Sequence, residues 1–143
     1  MSKAFTKEDA DVPEAPRRRL GIPVPELNYV TPAGLAAARA ELDELSRTAA
    51  DPDRIRELTD HLATARPIEP TDPREAGVGA TVVVEAEDGT RTTYRIVGAI
   101  EAEPRRGALG WQSPIAQALF GAREGDRVVL PRGDEVEVVS VTY

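Results

Sequence analysis

Asp51 and Asp53 flank a proline in the run Ala49-Ala50-Asp51-Pro52-Asp53, and this spacing suits two kinds of chemistry. Paired carboxylates supply hard oxygen ligands for Mg²⁺. Asp-Pro-Asp is also a helix start. The first aspartate accepts an orphan backbone N–H, the proline needs no donor there, and the second acid meets the positive end of the helix dipole. The two roles are compatible. Other reactive residues are few. The chain has one His and no Cys, which excludes disulfides, thiolate sites and multi-histidine metal centres. His61 has no carboxylate partner in its pattern and reads as a flank residue of a helix. Ser113 has no histidine in its own part of the chain to activate it, and Ser113-Pro114 reads as a second cap-plus-proline helix start. No catalytic residue, metal or cofactor is expected from these residue types. Trp111 is a candidate interface anchor, while Phe120 reads as a core residue. Arg17-Arg18-Arg19 reads as a solvated charge run. Arg105-Arg106 reads equally as a solvated loop or as a contact to an acidic partner.

The elements that must position these residues follow from periodicity. In the 143-residue chain, the first 28 residues mix charge with Pro13, Pro16, Pro23 and Pro25. Such a segment buries too little apolar area to offset its ordering entropy, so 1–28 is expected to be a disordered tail. Over 29–66, Thr31-Pro32 opens a helix. Leu35, Ala38, Leu42 and Leu45 then form a heptad seam. Asp51-Pro52 opens a second helix, where Ile55, Leu58, Leu62 and Ala65 repeat the spacing. Two seams joined by a short turn predict an antiparallel helical hairpin. A first helix of about 18 residues would be roughly 27 Å long. Residues 67–77 hold Pro67, Pro70 and Pro73 and read as a linker.

From 78 to 143 the period changes to two. Ala80 to Glu87, the turn Asp88-Gly89 and Thr92 to Gly98 predict a hairpin. Leu109 to Trp111 reads as a third strand, and Ile115 to Leu119 as a short helix. Arg127 to Leu130 and Glu135 to Val141 read as a last hairpin around Pro131 to Asp134. The expected class is α+β, with a small antiparallel sheet and one helix. Lys+Arg number 18 against Asp+Glu 25, a net charge of -7. That argues against strong nucleic-acid binding through phosphates. No stretch approaches the ~20 apolar residues of a membrane span, and the first residues hold no apolar core of a signal peptide. A cytoplasmic protein without a membrane role is expected, and a monomer, because the hairpin satisfies its own seam.

This order of elements, with its particular residues, resembles the Gre family of bacterial transcription elongation factors over about residues 28–143. Tyr29-Val30-Thr31-Pro32-Ala33-Gly34-Leu35 and Glu41-Leu42-Asp43-Glu44-Leu45 resemble the family's opening. Gly79 to Val84, Tyr94 to Gly98, Ser113 to Leu119 and Gly125-Asp126 resemble its C-terminal part. Lys3-Ala4-Phe5 is similar to tails of GreB-like members. The resemblance implies a coiled coil followed by an FKBP-like domain that docks at the rim of the RNA polymerase secondary channel. It makes Trp111, Gln112, Ser113 and Pro114 the candidate docking residues, with Gln112 where relatives often carry Asp. In cleavage factors, acids at the coiled-coil tip help hold the polymerase's Mg²⁺. The acidic run of those factors is missing here and the hairpin is shorter, similar to the regulator of nucleoside diphosphate kinase. The resemblance thus implies a non-enzymatic, polymerase-binding regulator that does not stimulate transcript cleavage. The alternative is a cleavage factor in which Asp51 and Asp53 assist the polymerase's Mg²⁺. Prolyl isomerase activity is not expected, since the spacing of Tyr94, Trp111, Phe120 and Tyr143 suggests no aromatic-lined pocket.

Overall fold

A computed structural model describes residues 21–143. Arg17 to Arg19, with most of the expected tail, lie outside the described residues. Helix α1 (Pro32–Thr48) begins where the sequence puts its cap: Pro32 takes the first helical position, and the Thr31 hydroxyl accepts the Gly34 N–H at 2.9 Å. Its end is a left-handed Ala49, φ 53°. Asp51, also at φ 53°, then caps α2 (Pro52–Thr64), its carboxylate accepting the Arg54 N–H at 3.2 Å. Only residues 49–51 separate the helices, so α2 runs back along α1. Between them Leu58 is fully buried with Ala38 and Val30, and Leu35, Leu42, Leu45, Leu62 and Ala65 pack around this cluster. The cluster takes in every expected seam residue except Ile55, which lies outside it.

The two feet of the helix pair meet in a parallel ladder. Strand β1 (Tyr29–Val30) pairs with β2 (Arg66–Pro67), Tyr29 opposite Arg66 and Val30 opposite Pro67. Residues 21–28, within the expected tail, are bonded to α2. Ile22 N–H donates to Glu57 Oε2 at 2.7 Å. Asn28 Nδ2 donates to the His61 carbonyl at 2.8 Å and to Thr64 Oγ1 at 3.2 Å. These are backbone and amide contacts, which hydrophobic periodicity does not register.

The second layer is a five-stranded sheet of order β5-β4-β3-β7-β6. Strands β3 (Thr81–Ala86) and β4 (Arg91–Val97) form the expected hairpin around Asp88-Gly89, where Gly89 adopts φ 87°. Strands β6 (Arg127–Val129) and β7 (Glu135–Thr142) form the other, and β7 lies antiparallel to β3. Strand β5 (Ala108–Gly110) departs from the expected antiparallel sheet: it pairs in parallel with β4, Arg95 opposite Ala108 and Val97 opposite Gly110. Two 3-10 turns, Ala99–Glu101 and Pro104–Arg106, return the chain to the start of that register. Helix α3 (Pro114–Leu119) covers the core through Ala116 and Leu119. That core, centred on Val82, Val84, Ile96 and Val138, is distinct from the one between the helices. The chain is thus a mixed helix-and-sheet protein. The end of the proline-rich 67–77 segment is tied to the sheet body. Ala76 N–H donates to the Ala122 carbonyl at 2.9 Å, and Gly121 N–H donates to that of Ala76 at 2.8 Å.

Glu101 joins the two layers. Its Oε2 accepts the N–H groups of Thr31 and Gly98, each at 2.9 Å, and its Oε1 accepts the Thr31 hydroxyl at 2.6 Å. A carboxylate at a helix N-terminus also meets the favourable end of the dipole. Gly34 leaves the room for it, since a Cβ there would overlap the Glu101 carboxyl. Gly98 is similarly crowded by the Tyr29 carbonyl and Val30. Helix propensity alone favours Gly34→Ala by about 1 kcal/mol. The overlap reverses the sign, because displacing a held carboxylate costs about 1–3 kcal/mol. Gly34→Ala is expected to lower the urea midpoint, and a raised midpoint would refute the clamp.

Candidate functional site

Two surfaces carry the candidate residues, and the structure keeps them apart. The first is the turn between α1 and α2. Asp51 and Asp53 are both exposed there. The Asp51 carboxylate caps Arg54, and its carbonyl accepts the Ile55 N–H at 3.0 Å. Asp53 lies in the first turn of α2. The turn holds two left-handed residues, Ala49 and Asp51, and every other positive φ among the described residues belongs to glycine. For alanine that conformation costs roughly 1–2 kcal/mol, so the turn is strained.

Behind the turn sits Arg54, which sequence spacing did not single out. Its Nε and Nη2 donate to the two Glu41 carboxylate oxygens at 2.8 and 2.9 Å, and its Nη1 donates to Glu57 at 2.7 Å. Hydrogen bonding to Glu41 raises the guanidinium pKa, with burial opposing and Glu57 adding to the rise. Arg54 thus stays charged at any working pH and compensates two acids of the helix pair. Glu57 also accepts the Ile22 N–H, so the same cluster holds residues 21–28. Among the described residues no group of three His, Asp or Glu side chains is placed to hold a metal ion.

His61, expected as a flank residue, is instead 1% exposed. Its Nε2 donates to the Ile22 carbonyl at 2.8 Å, while Nδ1 is buried without a partner. The covering segment 21–28 is what buries it, and no signal within α2 marks that.

The second surface surrounds Trp111. The Trp111 N–H donates to the Val97 carbonyl at 2.8 Å, and its own carbonyl accepts Gln117 Nε2 at 2.7 Å. The indole lies between Tyr29 and Phe120, with ring centroids 5.4 and 6.3 Å away. Phe120, expected in the core, is 40% exposed. It follows the last residue of α3, beyond the face formed by Ala116 and Leu119. Gln112 and Pro114 are exposed. Ser113 occupies the cap position of α3, but its hydroxyl makes no capping bond, contrary to expectation. Its backbone carbonyl serves instead, accepting the Gln117 N–H at 2.9 Å. Trp111 Nε1 and Ser113 Oγ are both buried without a partner. Buried polar atoms of this kind are uncommon in folded proteins.

Only Val30 and Thr31 separate Tyr29 from the start of α1, and the Asp51 turn follows that helix. A 17-residue helix separates the two surfaces by about 25 Å. The molecule therefore offers an acidic, strained tip at one end and an aromatic ladder at the base of the helix pair.

Comparison with known proteins adds a lineage to this geometry. Residues 71–143 match the family described as "Transcription elongation factor, GreA/GreB, C-term". The chain is 35% identical over 154 aligned positions to transcription elongation factor GreB of Neisseria meningitidis serogroup B, covering 81% of this chain and 94% of that protein. Since 81% of 143 residues is about 116, some 38 of those positions have no residue of this chain opposite them. It is 44% identical over 98 positions to transcription elongation factor GreA of an Anaeromyxobacter species, covering 63% of this chain and 58% of that one. A crystal structure of GreA factor homolog 1 from Thermus thermophilus superposes with a TM-score of 0.45 at 28% identity, over 78% of this chain and 86% of that one.

Glycine removes the alanine penalty at the turn. Ala49→Gly is expected to raise unfolding free energy by about 1 kcal/mol. Thermal or urea unfolding reads the change, and a loss of stability would show that the turn is not strained at that residue.

Proposed function

The chain belongs to the GreA/GreB family of transcription elongation factors, and on that premise we propose that it is an RNA polymerase-binding regulator acting at the rim of the enzyme's secondary channel without stimulating transcript cleavage. One observation carries the second half of this reading. The helix pair is only 17 and 13 residues long, and the acid at its turn caps α2. Reach falls by about 1.5 Å for every residue missing from a helix. The unmatched positions in the Neisseria alignment support a pair of helices shorter than that relative's, and we place the missing length there. Asp51 oriented toward its own helix is a poor Mg²⁺ ligand for a distant site. The action is then steric and electrostatic, not catalytic, and no cofactor enters it.

In this reading, residues 78–143 form an FKBP-like docking domain, 67–77 the connection to it, and 29–66 the plug. The aromatic ladder of Tyr29, Trp111 and Phe120 is the docking face, with Gln112, Ser113 and Pro114 at its edge. Aromatic side chains flanked by exposed polar residues make effective interface anchors. The exposed Arg105 and Arg106 supply charge complementary to an acidic rim.

The test uses stalled, backtracked elongation complexes and the full chain, with binding and RNA length read from the same samples. Saturable binding with uncut RNA is expected. Cleavage that disappears in Asp51→Ala or Asp53→Ala would replace this reading with that of an active cleavage factor. Phe120→Ala removes an exposed ring and is expected to weaken polymerase binding about tenfold. An unchanged affinity would move the docking face elsewhere.

A further inference from the structure

Residues 21–28 lie as a strap on α2, and their hydrogen bonds fix the direction in which the chain runs. Asn28 is bonded at the level of His61 and Thr64, and Ile22 at the level of Glu57 and His61. Followed backwards from Asn28, the chain therefore climbs α2 from its base towards the Asp51 turn. Ile22 is held on both sides of its backbone, its N–H by Glu57 and its carbonyl by His61. The second bond closes over a histidine that is 1% exposed, so buried structure sets the heading of the strap.

The helix row that the strap follows continues past it. Asp53, Glu57 and His61 are spaced four residues apart, and such residues are neighbours on one helix face. From Glu57 to Asp53 is about 6 Å along the axis, and the turn begins just beyond. Arg54 brings Glu41 of α1 to the same side through its two bonds to that carboxylate. Three carboxylates, Glu41, Asp53 and Glu57, share this side with one guanidinium, which leaves two negative charges in excess. A carboxylate has about four lone-pair sites, so bonds already made to Arg54 leave capacity for further donors. Arg17, Arg18 and Arg19 stand three to five positions before Ile22. In an extended chain that is about 10–17 Å, enough to pass Asp53 and reach the turn. Length and charge both suit the arginine run to this side of the helix pair.

We propose that Arg17, Arg18 and Arg19 dock here, with their guanidinium groups against Asp53, Glu41 and Glu57. The occupant is a segment of the chain itself, singled out by where the strap ends and by opposite charge. The contact extends the strap to the turn, and so tethers a place where the backbone is strained at Ala49 and Asp51. It also pairs Asp53, so that the turn meets any partner with that acid neutralised. The contact lies within one chain and stands whether or not a polymerase is the partner.

The test is backbone NMR relaxation on the full chain at low ionic strength. Order parameters above about 0.6 are expected at Arg17, Arg18 and Arg19, since lower values mark a flexible backbone. The triple variant Arg17→Gln, Arg18→Gln, Arg19→Gln should drop them below about 0.6, while Ile22 and both helices keep the parent's values. Raised salt should do the same, because it screens exposed ion pairs. Asp53→Asn should lower them too. Asp43→Asn is the control for net charge and should leave them as in the parent, because Asp43 and Glu41, two positions apart, do not share a helix face. Low order parameters at the three arginines in the parent would overturn the proposal. So would order that survives the triple substitution or high salt, or an equal response to the two acid variants.

Discussion

The carboxylate of Glu101 makes one body out of a helix pair and a sheet. Three donors converge on it, and two of them belong to Thr31, the residue that starts α1. The Thr31 hydroxyl in turn accepts from Gly34, so one hydrogen-bonded chain runs from the sheet into the first turn of the helix. Thr31 is only 8% exposed, and an unpaired backbone N–H there would cost about 1–3 kcal/mol. The direction in which α1 leaves the sheet is fixed at this point, and so is the place of everything carried at its far end. The two apolar cores stay separate, Val30 and Ile100 belonging to the helix-pair cluster and Ile96 to that of the sheet.

The two ends of the helix pair are built to different standards. At the base, contacts are dense and specific. At the turn, the chain accepts two strained residues and a single weak cap, with the Arg54 cluster one turn behind. A site intended to coordinate a cation needs carboxylates aimed outward from a rigid frame. Here the chemistry of the turn is directed inward, to closing the helices on each other. That contrast is what supports the proposed plug, in which the body grips and the stub occupies space.

Local signals in the chain were legible. Thr31-Pro32, Asp51-Pro52 and Asp88-Gly89 act over four residues or fewer, and the leucine seam repeats within one helix. Each of these elements sits where its pattern puts it. Contacts between distant residues left no such mark. Glu101 reads as one more acid in an acidic chain, because its partner Thr31 is 70 positions away. The parallel pairing of β5 depends on two 3-10 turns that carry no strong composition. The burial of His61 and the packing of residues 21–28 come from backbone donors and acceptors, to which hydropathy is blind. Of the candidate site, the residues of the turn and of the Trp111 loop could be found by type. Their state could not: the sequence does not say that Ser113 Oγ fails to cap, nor that Phe120 stays outside.

The parallel two-residue ladder between β1 and β2 has a further consequence for how such a molecule can change over time. It brings both ends of the helix pair to one place, Tyr29 beside Arg66, and it closes the pair as a loop whose outline the sheet never senses. Matched additions of seven residues on either side of the turn would extend the seam in register while leaving both feet untouched. Length is thus an inheritable dial, separate from the machinery of attachment, and descendants with long or short stems could share one socket.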